Sequence, residues 1–382
     1  MIITVIVFII VLSILVLVHE LGHFLAAKKF GIMVEELGFG LPPRIFGKKI
    51  GETIYSVNIL PIGGFVRLYG EEQEVSGKKK HRSFLYQSRL VRLLVIVAGV
   101  TMNFFLGAIV ISYIFTQGIL IPTNRVHIES ISENSPAGKA GLMKEDVVLR
   151  MSNYMETKII TNAEDLISFT NNNLGKKVHL SILRCVAGKN NGEGISCKPG
   201  SGPEELTVSL VPRKEVPEGE GPMGISISNL EEKKYSLFEA PIRGIGEALT
   251  TSWKIFVAII NILWKLITQV EVPKDVAGPI GVAQITSQAM KFGPMAILEL
   301  IGFLSLNLAV VNILPIPALD GGRLLFIGVE LVFGKKVRPR FERVVHQIGM
   351  VILLTLIFLV TLNDIRRIIT LSSFNPLGGL LP

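Results

Sequence analysis

The sequence predicts a polytopic α-helical membrane protein of about four crossings with a small α+β module outside the bilayer, and three features of the chain predict it. Hydrophobic residues make up 49% of the 382 positions and charged residues 18%, with a mean hydropathy of +0.51; soluble domains average about 25% charged residues. Charge-free stretches at residues 1–18, 93–124, 300–319 and 347–363 each approach the roughly 20 residues that a helix needs to cross about 30 Å of hydrocarbon. The basic residues flank these stretches unevenly, so the net charge of +8 reads as membrane orientation and contact with lipid headgroups rather than as a nucleic-acid surface. A purely cytosolic protein and a nucleic-acid partner are both excluded.

Residues 1–27 form the first crossing. No Lys or Arg precedes the apolar run and no small-residue cleavage site follows it, so the segment is expected to be retained rather than removed as a signal peptide. Residues 28–88 form a β-rich segment, with the second crossing at 89–118. Residues 26–92 carry twelve basic and six acidic residues, and the bend at 321–343 carries six and two. Both are therefore cytoplasmic, and both termini lie outside; Arg366 and Arg367 run mildly against this count. The polar block at 125–240, with fourteen basic and sixteen acidic residues, falls between the second and third crossings and is extracytoplasmic. Period-two patterns at 178–183 and 206–211 predict strands, and 162–172 predicts a short helix, giving a module over 122–229. Within 230–294 the apolar run 255–267 is only 13 residues long, next to Lys254 and broken by Lys265, which predicts interfacial helices anchored by Trp253 and Trp264. A spanning helix there inverts every later segment. The third crossing occupies 295–333 and the fourth 344–363. Cys185 and Cys197 enclose a Gly/Asn-rich insert in the outer module; a disulfide across a hairpin and two unpaired thiols are both open readings.

The chemistry concentrates at two places. The first helix ends in His19-Glu20-Leu21-Gly22-His23. Residues i and i+4 share a helix face, so two imidazoles grip one zinc ion while Glu20, about 100° around, serves as general base for a bound water. Three ionisable groups following eighteen uncharged residues are costly in a membrane helix and are functional by default. His19 lies nine residues before Lys28, roughly 13 Å below the interface at 1.5 Å per residue. A catalytic zinc takes three protein ligands. Asp320 supplies the third, since Pro315 and Pro317 break the helix and Gly321 and Gly322 let the backbone turn the carboxylate into the bundle. His346, after the basic bend, is its rival; an Asp that merely caps the next helix is the plainer alternative.

An early HELGH paired with a late Asn312-Ile-Leu-Pro-Ile-Pro-Ala-Leu-Asp320-Gly-Gly on separate membrane segments resembles the site-2 protease family of intramembrane zinc metalloproteases, most of all the bacterial sigma-E protease type. Ala98–Phe104 resembles the family's AGPxxN-F segment, Gly63-Gly64-Phe65-Val66-Arg67-Leu68 its glycine-rich re-entrant strand, and Gly278-Pro279-Ile280-Gly281 its motif before the third crossing. Val100 and Ala318 stand where members often have Pro. The resemblance implies zinc on His19, His23 and Asp320, Glu20 as the base, and a substrate-holding amide on Asn312. It also implies a bacterial cytoplasmic (inner) membrane protein with a re-entrant β-hairpin. Ser135-Pro-Ala-Gly-Lys-Ala-Gly-Leu142 followed by Asp146-Val-Val resembles the signature of circularly permuted PDZ domains, with Glu145 in place of the usual Gly. By that likeness the outer module is PDZ-like, binding an extracytoplasmic peptide at a sheet edge.

These readings predict an endopeptidase that cuts a transmembrane segment of a single-pass protein, such as an anti-sigma factor or a remnant signal peptide. A helical substrate must first unwind, and each freed backbone group costs several kcal/mol in lipid unless it is paired. The segment 54–68, broken at Gly63-Gly64 next to Phe65, is expected to offer that pairing as a strand edge, and a polar cavity is expected to admit water from the cytoplasm. A non-catalytic PDZ receptor is the alternative; it explains the outer module but not the ionisable groups at depth.

Overall fold

The computed structural model of the chain describes residues 2–71, 75–184, 204–217, 219–269 and 277–370. In chain order its elements are α1 (Ile2–Lys29), β1 (Val34–Ile50), β2 (Thr53–Leu68), α2 (Arg89–Gln117), β3 (Ile119–Ile131), α3 (Pro136–Lys139), β4 (Val147–Ser152), β5 (Thr157–Ile159), α4 (Ala163–Asn172), β6 (Val178–Arg184), β7 (Glu204–Leu210), β8 (Ile225–Lys233), α5 (Glu239–Gln269), α6 (Pro279–Phe292), α7 (Pro294–Ile313), α8 (Asp320–Phe333) and α9 (Pro339–Thr370). They form two compact units, one of residues 1–114 with 238–382 and one of residues 115–237. The cysteine pair lies outside the described residues.

In the first unit α1, α2, α5, α7 and α9 are long and apolar enough to cross a membrane by length and composition. That is one more than the four crossings that the sequence predicts. Residues 255–267 are only the second half of α5, a helix of 31 residues. The first half was obscured because Glu239, Arg243 and Glu247 recur every four residues on one face, where Arg243 Nε donates to Glu239 Oε1 over 2.7 Å. The segment read as one third crossing is also two helices, α7 and α8, separated by 314–319. Of the stretch 230–294 expected to hold interfacial helices, the first residues, 230–233, instead end strand β8.

Strands β1 and β2 fold back on themselves. Gly38 pairs with both Phe65 and Ser56, and Lys48 with Tyr55, so the lateral order is 64–68, 34–39, 54–58, 46–50. Among the described residues, Gly64–Leu68 pairs with β1 alone and is therefore an edge. Helices α1 and α2 approach closely because Gly22 has no side chain; a Cβ there stands 2.4 Å from the Ala98 carbonyl oxygen. A buried ion pair between Arg92 and Glu330 joins α2 to α8. Asp364 of α9 accepts from the backbone N–H groups of Gly278 (3.4 Å) and Gly281 (2.9 Å), which satisfies the first turn of α6.

The second unit is an antiparallel sheet in the order β7-β6-β4-β3-β8, with β5 on β4. Val126, Ile128, Met151, Leu180 and Ile182 fill its core. Its strands extend beyond 122–229 because Ile119 already pairs with Lys233. Ser135 caps α3 by accepting from Gly138 N–H at 3.0 Å. Glu145 has φ +71°, a left-handed backbone that glycine adopts more readily than glutamate. Next to it, buried Asp146 takes a fork of bonds from Arg184 at 2.8 and 2.6 Å.

Candidate metal centre

Three side chains from the two ends of the chain converge. His19 Nε2 lies 3.0 Å and His23 Nε2 3.1 Å from Asp320 Oδ2, and the two Nε2 atoms are 3.1 Å apart. The i, i+4 spacing on α1 places the imidazoles on one face, as its sequence requires. Asp320 arrives because the chain breaks after α7. Ala318 adopts φ +80°. A Cβ on Gly321 stands 1.9 Å from the Leu314 carbonyl oxygen and one on Gly322 2.7 Å from that of Ile316, so only glycine fits after the aspartate. Asp320 then occupies the first turn of α8, where the helix N-terminus favours a negative group.

The arrangement fits a zinc ion. Tetrahedral ligands at about 2.0–2.1 Å are roughly 3.3 Å apart, close to the separations above. Oδ2 of Asp320 faces the two ring nitrogens at hydrogen-bond distance, so the three donor atoms are aimed at one another, as expected of a set that shares a cation. Two imidazole nitrogens and a carboxylate suit zinc chemically.

Helix α2 surrounds the histidines. His23 Nδ1 lies 2.9 Å from the Val95 carbonyl oxygen, and this bond fixes the ring so that Nε2 is free to ligate. A Cβ on Gly99 stands 2.4 Å from His23 Nε2 and 2.9 Å from His19 Cε1. Asn103, wholly buried, places its amide 3.4 Å from His19 Nδ1. Residues 95, 99 and 103 are four apart, one face of a helix. Sequence reasoning found Gly99 and Asn103 only through resemblance and missed Val95, whose contribution is a carbonyl oxygen.

Glu20 and the three ligands line one cavity of about 600 Å³ together with Phe65, Val66 and Arg67. The Val66 backbone N–H bonds to the Glu20 carboxyl, and a Cβ on Gly64 stands 3.7 Å from Glu20 Cγ. The structure thus brings Gly64 and Phe65 to the base. Gly63, at φ +85°, is the turn that leads in. Asn312 is buried at the end of α7 and is not among the cavity-lining residues. His346, the rival ligand, has another place: its Nδ1 accepts from the Ala318 N–H at 3.0 Å, and Gly349 one turn on gives room for Pro317. Arg323, three residues after the aspartate, forms an ion pair with Glu71 after β2. Neither role has a signature in the sequence.

A His-His-carboxylate centre with a neighbouring glutamate, among helices long enough to span a bilayer, defines a membrane metallopeptidase. The profile of peptidase family M50 matches residues 7–356. A Clostridium acetobutylicum protein, classed provisionally as a zinc metalloprotease, is 32% identical over 354 residues, covering 92% of this chain and 94% of the relative. The regulator of sigma-W protease RasP of Bacillus subtilis is 27% identical over 444 aligned positions, covering 96% and 99%, and the zinc metalloprotease RasP of Oceanobacillus iheyensis is 27% identical over 446, also 96% and 99%. The chain belongs to peptidase family M50, the site-2 proteases.

Proposed function

We propose that this zinc metalloprotease is an intramembrane endopeptidase that cuts a transmembrane segment of single-pass membrane proteins, anti-sigma factors or remnant signal peptides among them. One observation carries the reading: the sheet edge Gly64–Leu68 lies against Glu20 in the cavity that holds His19, His23 and Asp320. A zinc ion held by those three residues would supply Lewis acidity at a scissile carbonyl and would acidify a water toward neutrality. Glu20, beside the ligands, is placed to accept a proton from the attacking water and to return it to the leaving amine. An unwound substrate added along Gly64–Leu68 regains the backbone hydrogen bonds that it loses with its helix. Phe65 bears on its side chains, and Asn312 is proposed to hold the substrate further along.

The same geometry supports four crossings. Both α1 and α7 run toward the metal, hence toward one membrane face, and α2 leads away from it. An even number of crossings therefore separates α2 from α7. Helix α6, with 14 residues, or about 21 Å, is too short to return a crossing made by α5. On this reading α5 lies in the interface, with exposed Trp253 and Trp264 at headgroup level. The module at 115–237 is then extracytoplasmic and PDZ-like, receiving a peptide, and the protein sits in a bacterial inner membrane.

The test is cleavage by reconstituted full-length protein of two single-pass reporters that differ in helix stability. A reporter with Gly-Pro in the lower half of its span is expected to be cut at least tenfold faster than its poly-Leu counterpart. Equal rates contradict a requirement for unwinding.

A further inference from the structure

We propose that Asn103 is a positioning residue for the metal centre, and that its amide oxygen faces His19 and sets that ring's tautomer. His19 Nε2 points at Asp320 Oδ2 and at His23 Nε2. A ligating Nε2 must keep its lone pair free, so the ring proton resides on Nδ1. In a buried site that N–H needs an acceptor. The group within reach is the Asn103 amide, 3.4 Å away. With the amide nitrogen facing the ring, two N–H groups oppose each other and Asn103 Oδ1 is left buried without a partner. Rotating the amide by half a turn puts the oxygen against Nδ1–H and removes the clash; oxygen and nitrogen occupy equivalent space, so only hydrogen bonding distinguishes the two orientations.

The backbone supports the assignment. Ser305 Oγ of α7 donates to the Asn103 carbonyl oxygen over 2.7 Å, which ties this turn of α2 to the helix that delivers Asp320. Val95 already supplies His23 with an acceptor. Asn103, two turns further along the same face, gives the second ligand its counterpart. The metal thus has a dedicated helix behind both imidazoles.

The experiment measures zinc affinity of full-length detergent-solubilised protein by competition with a chromophoric chelator, beside ¹⁵N-histidine spectra. Asn103→Leu removes the acceptor and is expected to weaken zinc ten- to a hundredfold. Asn103→Asp offers only acceptor oxygens and is expected to restore affinity to within threefold of wild type. The zinc-loaded wild type is expected to show a His19 Nδ1–H resonance that Asn103→Leu shifts. The inference rests on His19 being a ligand, and His19→Ala tests that separately: unchanged zinc there refutes the ligand, not Asn103. Wild-type affinity in Asn103→Leu, or a His19 ring protonated on Nε2 alone with zinc bound, overturns the proposal even if Asn103→Asp fails to fold.

Discussion

Gly99 and His23 are in a contact that leaves no room for a side chain at position 99: a Cβ on Gly99 stands 2.4 Å from His23 Nε2. The imidazole is held from behind by the Val95 carbonyl, so it has no room to retreat.

Gly99→Ala is therefore expected to displace His23 from the centre and lower zinc affinity by at least tenfold. Overpacking typically costs about 1–3 kcal/mol, so the fold should persist with a modest fall in thermal midpoint. Metal analysis beside a melting curve separates the effects. Full zinc occupancy in this variant contradicts the packing described.

His346 holds the turn that presents Asp320, through the Ala318 N–H. Asn places an acceptor oxygen near the position of Nδ1, while Leu does not. His346→Asn should retain most zinc binding and His346→Leu should lose several-fold, read by the same chelator competition. Equal behaviour of the two variants means the bond does not matter.

Arg92 and Glu330 are both buried, and Glu330 also accepts from Val337 N–H at 3.0 Å. Removing one partner of a buried pair leaves an uncompensated charge, at a cost of about 3–5 kcal/mol, whereas replacing both with apolar residues is often far milder. Denaturation of Glu330→Leu alone and of the double variant Arg92→Met/Glu330→Leu is expected to rank the double variant as the more stable.

At the loop end of the hairpin, Glu52 receives a fork from Arg82 (2.7 and 2.7 Å) and a bond from Lys28 (2.9 Å). Arg82 first, then Lys28, pulls its carboxyl down from 4.5 to about 2. A depressed folded-state pKa stabilises above the unfolded value and is lost as pH falls through the folded one. The midpoint difference between wild type and Glu52→Gln should be complete above about pH 5 and vanish near pH 2. Because the side chain is about one-third exposed, screening keeps that difference small. A difference that does not change between pH 2 and 6 contradicts the clamp.

The metal site was legible because its chemistry needs specific side chains at a fixed spacing: His19, Glu20 and His23 on one turn, then Asp320 beside helix breakers. The module's helix at 162–172 and strands near 178–183 and 206–211 were legible from hydrophobic periodicity. The length of α5 was not, since charges spaced four apart on an amphipathic helix interrupt an apolar count without interrupting the helix. Contacts made by backbone groups, such as Val95 oxygen to His23 and Ala318 N–H to His346, leave no mark on residue identity. The Glu71–Arg323 and Arg92–Glu330 pairs join positions more than two hundred residues apart, so no local pattern announces them.

Zinc content and substrate cleavage measured together on Glu20→Gln bear most directly on a metal-dependent peptidase at His19, His23 and Asp320. The glutamine keeps the size of the side chain but cannot take a proton. Zinc near one ion per chain, with cleavage of a reconstituted single-pass substrate reduced at least a thousandfold, is the expected result; cleavage near the wild-type rate with zinc in place contradicts it.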